Sequence, residues 1–131
     1  MTKAITAQAL RKVYPGNPPV EALASIDLEI QDNEFFTLLG PSGCGKTTLL
    51  KIIAGFLAPS AGRILMSGVD VTVVPPEARD TAMCFQSYAL FPHLDVRANL
   101  EFGLRQKRVA QAERSRRLDS VIAQLELGHT L

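Results

Sequence analysis

The strongest constraint on how this chain can fold is the eight-residue stretch Gly40–Thr47, which reads G-P-S-G-C-G-K-T. It matches the pattern G-x-x-x-x-G-K-[ST] at every fixed position, and that pattern is typical of a phosphate-binding loop between a strand and a helix. The apolar run Phe35–Leu39 precedes it and predicts a strand buried on both faces. Apolar residues then recur at three- and four-residue intervals, at Leu49, Ile52, Ile53 and Phe56. This spacing predicts a helix that begins near Lys46, so the loop has the flanking elements that the pattern requires.

The residue types in this loop suit a phosphate for separate physical reasons. Gly40, Gly43 and Gly45 allow tight turns, so that successive amide N–H groups can point inward at phosphate oxygens. Lys46 supplies a positive charge for β- and γ-phosphates, and the hydroxyl of Thr47 can coordinate Mg²⁺. The alternative is a glycine-rich turn that binds nothing, and the complete octet between strand and helix disfavours it. The predicted phosphate-binding residues are Gly40, Pro41, Ser42, Gly43, Cys44, Gly45, Lys46, Thr47 and Thr48.

Composition narrows the class of protein only moderately. A chain of 131 residues is enough for one domain. A net charge of +1 does not commit the whole molecule to nucleic acid or to a membrane surface. The two cysteines have no paired or metal-type spacing, which favours a reducing compartment. Since no stretch approaches the roughly 20 apolar residues of a membrane-spanning helix, membrane association is expected to go through a partner.

Further strands are predicted on both sides of the loop. Ile5–Val13 alternates loosely, and Ser25–Ile30 alternates cleanly, as expected for a half-buried strand in an antiparallel sheet. Arg63–Val71 predicts two short strands joined by a tight turn at Ser67-Gly68. The short apolar run Thr81–Phe85 predicts a second core strand, parallel to the strand before the loop.

The last part of the chain predicts helices. Asp95 is a suitable N-cap for a helix through Leu100–Leu104. A final amphipathic helix is indicated by the spacing of Leu118, Val121, Ile122 and Leu125. The stretch Arg105–Arg117 is basic, and we interpret it as the solvated face of a helical subdomain. Nucleic-acid binding is disfavoured because no aromatic residues interleave with these charges.

In chain order, four stretches resemble the N-terminal part of an ATP-binding-cassette (ABC) transporter ATPase subunit, of the importer type that serves polyamines, iron(III), phosphonates or sugars. They are Tyr14, Gly40–Thr48, Gly62–Val71 and Arg79–Leu94. The resemblance implies an α/β fold, with a P-loop NTPase (RecA-like) core, an N-terminal antiparallel β subdomain and the start of a helical subdomain. It assigns the β subdomain and P-loop core to residues 1–85, and the glutamine loop (Q-loop) with the start of the helical subdomain to residues 86–131.

The resemblance also implies roles for individual residues. Tyr14 would stack on the adenine of ATP; without the loop downstream, a turn aromatic that covers the sheet edge would be the simpler interpretation. Gln86 would complete the shell of Mg²⁺ with Thr47 or orient the attacking water, and it would relay the state of the nucleotide to the coupling surface. Its alternative is a polar residue at the end of a strand. His93 would belong to the coupling loop and not to the phosphate site.

Partners and location follow from the same resemblance. The region Gln86–Leu94 would receive a transmembrane permease subunit, and a second ATPase subunit would complete a dimer. The chain would then be cytoplasmic and peripheral on the inner face of the cell membrane. No nucleic-acid partner is expected.

Three motifs of the family's hydrolytic machinery are not found in these 131 residues. They are a signature stretch of the Leu-Ser-Gly-Gly-Gln type, an apolar strand that ends in Asp-Glu, and a histidine in the family's switch position. We therefore expect a truncated chain that binds ATP–Mg²⁺ weakly and lacks significant ATPase activity, and we assign no catalytic residue.

The function implied is the ATP-binding, energy-coupling subunit of an ABC-type importer, with a spermidine/putrescine-like solute class. Two alternatives stay open. One is an inactive nucleotide-binding remnant, and the other is a different P-loop enzyme such as a small-molecule kinase. The stretch Gln86–Leu94 and the antiparallel strands before the loop favour the transporter over the kinase.

Overall fold

The computed structural model describes residues 3–129, which form two compact units, one ending at Met83 and the other starting at Cys84. The first unit contains four strands and one helix, and the second contains two helices. In chain order the elements are β1 (Lys3–Tyr14), β2 (Val20–Gln31), α1 (Lys46–Ile53), β3 (Ala61–Met66), β4 (Val69–Asp70), α2 (Val96–Gln106) and α3 (Gln111–Gln124). Short 3₁₀ turns lie at Pro76–Ala78 and Leu127–His129. No helix within residues 3–129 is long and apolar enough to cross a membrane.

The four strands form one antiparallel sheet in the order β2-β1-β3-β4. The predicted strands at residues 5–13 and 25–30 and the predicted hairpin at residues 63–71 are therefore confirmed. Ser67 and Gly68 have φ values of 48° and 81° and connect β3 to β4. Positive φ at both central residues is what a two-residue hairpin turn of type I′ requires.

One face of this sheet packs against α1 and forms the core of the first unit. The helix begins at Lys46, as predicted, and its buried residues recur at three- and four-residue spacing. The core cluster consists of Ala7, Leu10, Leu23, Leu49, Ile52, Ile53 and Ile64. The helix is thereby held against three strands that come from both sides of the loop in sequence.

Two predicted core strands are wrong. Phe35–Leu39 and Thr81–Phe85 have no strand structure, and Phe35 and Leu39 are 96% and 97% exposed. A strand exists only where a neighbouring strand accepts and donates its backbone hydrogen bonds. The sheet within residues 3–129 consists of β1 to β4, and neither run is a strand of it. An apolar run indicates a tendency to be buried, but it does not provide the neighbour.

Both helices predicted for the second unit are present, but Val121 and Leu125 of the predicted apolar face are 37% and 60% exposed. Asp95 caps α2, since its carboxylate accepts a hydrogen bond from the Ala98 N–H at 2.7 Å. In α3, Leu118 and Ile122 are buried. The arginines of the basic stretch largely pair with acids, in the ion pairs Glu101–Arg105, Glu101–Arg114, Glu113–Arg116 and Glu113–Arg117. Hydrogen bonds from Arg116 and Arg117 lower the pKa of Glu113 to about 2.

Asn99 on α2 fixes the backbone that precedes this helix. Its side-chain oxygen accepts a hydrogen bond from the Phe91 N–H at 2.9 Å. Its amide nitrogen donates to the carbonyls of Phe91, Leu94 and Asp95 at 3.2, 2.9 and 2.9 Å. One side chain therefore determines the course of residues 91–95.

We predict that the core contact of α1 dominates the stability of the first unit. Ile52→Ala removes a fully buried side chain and is expected to lower the free energy of unfolding by about 2–5 kcal/mol. Leu50 lies on the same helix but is 46% exposed, so Leu50→Ala is the control and should cost about 1 kcal/mol or less. Urea unfolding followed by circular dichroism measures both. Equal losses for the two variants would contradict this packing.

A second prediction concerns Asn99. Asn99→Ala removes the side-chain partner of the Phe91 N–H and the Leu94 carbonyl, while the Phe91 and Asp95 carbonyls keep the backbone N–H groups of Leu94 and residue 99. We expect a loss of about 1–3 kcal/mol in unfolding free energy. Hydrogen exchange at the Phe91 amide should become faster. Gln106→Ala, at an exposed position of the same helix, should change stability by about 0.5 kcal/mol or less. Unchanged exchange at Phe91 in Asn99→Ala would show that this side chain does not hold the segment.

Candidate phosphate-binding site

The loop of residues 40–45 depends on two glycines with left-handed backbone. Gly43 has φ of +80° and Gly45 has φ of +95°. A Cβ at Gly45 would lie 2.5 Å from the carbonyl oxygen of Ala22 and 2.9 Å from Leu23 Cδ2. The loop backbone therefore lies directly on β2 at this point, and a side chain would displace it. A Cβ at Gly43 would meet no atom within 4 Å, so only the backbone conformation favours glycine there.

Lys46 folds back over the loop. Its Nζ donates hydrogen bonds to the carbonyls of Gly40 and Pro41 at 2.7 and 2.6 Å, and it lies 3.3 Å from Cys44 Sγ. The ammonium group is thus held at the loop and not extended into solvent. Gly40, Pro41 and Cys44 contact the lysine and do not line the cleft described below.

The start of α1 faces the same loop without a side-chain cap. Gly45 is the N-cap residue, no side chain bonds to the cap, and the first turn contains no acidic residue. The first N–H groups of an α-helix have no partner within the helix, and the N-terminus carries a partial positive charge. The geometry here can therefore bind an anion through backbone donors, with Lys46 beside them.

Tyr14, at the end of β1, lies next to this helix. Its Oη is 3.4 Å from Thr48 Oγ1, its ring is 5.4 Å from Lys12 Nζ, and the residue is 37% exposed. A cleft of about 480 Å³ joins it to the loop. The cleft is lined by Tyr14, Val20, Glu21, Ala22, Ser42, Gly43, Gly45, Lys46, Thr47 and Thr48.

Three of these lining residues, Val20 to Ala22, are absent from the sequence prediction. They are the first three residues of β2, where Tyr14 of β1 pairs with Val20. The sequence holds one signal for them: the segment of residues 15–19 is turn-rich, so a hairpin with Tyr14 at its end requires the next strand to run past the same ring. The sequence does not show which residue of the next strand lies opposite Tyr14, and the pairing of β1 with β2 in the structure supplies this.

Gln86 lies in the second unit, in an exposed turn. The loop and Thr47 belong to the first unit, so a shared metal site of Thr47 and Gln86 stays a prediction. The stretch that follows presents Tyr88 and Leu90, which are 76% and 70% exposed. Phe91 anchors this stretch to α2, because its ring packs on that of Phe102 with centroids 4.4 Å apart.

Curated relatives share high identity with this chain. A spermidine/putrescine import ATP-binding protein, PotA, of Ruegeria pomeroyi is 62% identical over 104 residues, which cover 79% of this chain and 28% of that protein. The Thermobifida fusca protein of the same name is 52% identical, over 95% of this chain and 33% of that protein. The sn-glycerol-3-phosphate import ATP-binding protein UgpC 2 of Rhizobium johnstonii is 50% identical, over 86% of this chain and 33% of that protein. The chain spans about a third of the length of these relatives.

Solved structures show the same fold. An ATP-binding cassette described as a dimer in a post-hydrolysis state bound to ADP and Pi matches with a TM-score of 0.76 and 26% identity. The match covers 93% of this chain and 57% of that one. A second dimeric structure of a bacterial ABC transporter cassette gives a TM-score of 0.74 at 28% identity, over 86% of this chain and 53% of that one. These neighbours confirm the predicted fold class of a P-loop NTPase.

A family model also matches this chain. It is described as ABC transporter, and it aligns with residues 23–131, which include the phosphate loop, α1 and the whole second unit. Together with the relatives, this match shows that the chain belongs to the ABC transporter family, whose ATPase cassettes bind nucleotide.

Proposed function

We propose that this chain provides the nucleotide-binding part of the energy-coupling ATPase subunit of an ABC importer. The observation that carries the proposal is the cleft in which Tyr14 and the loop–helix junction at Lys46 meet. In this proposal residues 1–85 form the β subdomain and the P-loop core, and residues 86–131 form the Q-loop and the start of the helical subdomain. A spermidine/putrescine-like solute is the class that the names of the Ruegeria and Thermobifida relatives support.

A nucleoside triphosphate fits this cleft in size and chemistry. Its volume of about 480 Å³ lies within the range of about 300–1,000 Å³ that is usual for small-molecule sites. Phosphate oxygens are stronger acceptors for an ammonium group than neutral carbonyls, so Lys46 would exchange the Gly40 and Pro41 carbonyls for them. The N–H groups at the start of α1 would bind the same phosphates.

The adenine ring would stack on Tyr14. The Tyr14 ring lines the cleft, and the Lys12 ammonium group makes a cation–π contact with it. A base that stacks on this ring would gain on the order of 1–3 kcal/mol of binding free energy. Mg²⁺ would be held by the Thr47 hydroxyl, since this ion takes oxygen ligands, and Gln86 is the further ligand that the family resemblance implies. When bound, the ion neutralises charge on the β- and γ-phosphates.

The second unit would make the contacts with other subunits. The exposed residues Tyr88 and Leu90 lie within Gln86–Leu94, which we propose as the surface for a permease subunit. A second ATPase subunit would complete the dimer, and the assembly would be peripheral on the cytoplasmic face of the membrane. The ion pairs of the basic stretch support a structural role for its arginines and not nucleic-acid binding.

Nucleotide binding makes a direct test. Lys46→Ala removes a charged donor to the phosphates and should weaken MgATP binding by about 1.5–3 kcal/mol. Lys51→Ala removes the same charge from an exposed position on the same helix and should leave affinity within about twofold. Isothermal titration calorimetry of MgATP distinguishes them. If removing Lys46 leaves the affinity unchanged, the loop does not bind phosphate.

The 131 residues taken by themselves are expected to bind ATP without turning it over. They contain no Asp-Glu pair and no signature stretch, so nothing in them polarises the attacking water or completes a site across a dimer. Steady-state hydrolysis should stay far below the usual enzyme range of about 1–10³ s⁻¹. Lys46→Ala measured in parallel reveals any contaminating ATPase. A turnover within that range that is lost in Lys46→Ala would show that these residues suffice for hydrolysis.

A further inference from the structure

Arg79 places a buried guanidinium group at the C-terminal end of α1. The residue is 8% exposed. Its Nη1 donates to the carbonyls of Ile52 and Ile53 at 2.8 and 2.7 Å, while Nε donates to Val74 and Nη2 to Thr72 at 2.8 and 3.2 Å. All four acceptors are backbone carbonyls. The negative end of the helix dipole therefore supplies part of what a carboxylate would supply to a buried cation.

Capping the helix does not by itself account for this arginine. Gly55, with φ of +87°, ends α1 in a turn where Phe56 N–H donates to Lys51 and Gly55 N–H donates to Ile52, at 2.9 and 3.1 Å. This is the usual glycine cap, and it already satisfies most of the last carbonyls. What Arg79 adds is a connection from the helix end to Thr72 and Val74.

That connection continues into the sheet. The hydroxyl of Thr72 accepts a hydrogen bond from the Ile64 N–H of β3 at 3.0 Å and donates to Asp70 at 2.6 Å. Arg79 thus joins the end of α1 to the hairpin of β3 and β4 through polar contacts. A Cβ at Gly55 would lie 2.7 Å from Arg79 Nε, so the backbone of the cap packs directly on the guanidinium.

We propose that Arg79 is a positioning residue for phosphate binding. It fixes the C-terminal end of α1 on the hairpin, and so fixes the direction in which the opposite end, with Lys46 and Thr47, points. The helix has 8 residues and is about 12 Å long. If its C-terminal end shifts sideways, the helix tilts, and the donors at its N-terminal end shift by a distance comparable to that displacement. Since Phe35–Leu39 forms no strand, no strand ladder holds the loop from that side, and α1 carries the alignment. This inference rests on the proposed nucleotide site.

The test separates alignment of phosphate donors from loss of folded protein. Two variants act on this end of α1: Arg79→Lys removes the planar fork, and Gly55→Ala crowds the guanidinium and also strains the left-handed cap. Arg63→Lys is the matched control, because Arg63 is exposed on β3 and donates to Gln8. Dissociation constants for MgATP, MgADP and AMP are measured on the 131-residue chain by NMR titration, which reaches millimolar affinities.

We expect both variants to weaken MgATP binding about tenfold and AMP binding less than about twofold, with MgADP between them. Arg63→Lys should leave all three constants unchanged. Each nucleotide binds only folded chain, so partial unfolding lowers the three apparent affinities by one common factor. Such a uniform loss, or no loss, would overturn the role of Arg79. Failure of the unsubstituted chain to bind MgATP would instead overturn the proposed function, and this inference with it.

Discussion

The apolar face of α1 packs on three strands of the antiparallel sheet, and the geometry of the phosphate loop follows from this contact. Leu49, Ile52 and Ile53 are buried against the sheet, so the helix axis is fixed relative to β1 and β2. The first turn then faces the end of β1, where Tyr14 lies. A cleft between a stacking ring and a helix N-terminus is therefore a consequence of hydrophobic packing. Hydrophobic packing brings the two together, and in our proposal Arg79 fixes the direction of the helix.

Local features of the sequence predicted the elements that local physics determines. The start of α1, the Ser67-Gly68 turn and the Asp95 cap depend on residues within a few positions of one another, and the structure confirms all three. The strands at Phe35–Leu39 and Thr81–Phe85 depend on a neighbour elsewhere, and there the prediction failed. The predicted fold class is nevertheless confirmed by solved cassettes. It depended on the loop motif and the family resemblance and not on the pairing of those two runs.

In the candidate site, too, the sequence predicted the local part and missed the contacts between distant residues. The octet identified the loop, because its spacing encodes which backbone positions turn. The wall from β2 depends on the register that sets Tyr14 opposite Val20, which no local pattern contains. The contacts of Arg79 are more distant still: its guanidinium bonds to carbonyls 26 and 27 residues earlier in the chain. Side-chain-to-carbonyl contacts at that separation leave no periodic signal, so only coordinates reveal them.

The loop is supported unequally on its two sides, and this affects what binding requires. On one side Gly45 lies on the Ala22 carbonyl and leads directly into α1. On the other, residues 35–38 line an apolar cleft of about 530 Å³ with Ile30 and Leu50 and make no strand. Nucleotide contacts made by residues 45–48 use donors that α1 already fixes. Near Gly40, in contrast, the Gly40 and Pro41 carbonyls would lose their hydrogen bonds to Lys46 when a phosphate binds its ammonium group, and contacts there must offset that loss. The affinity of this chain is therefore expected to reside in the helix side of the loop.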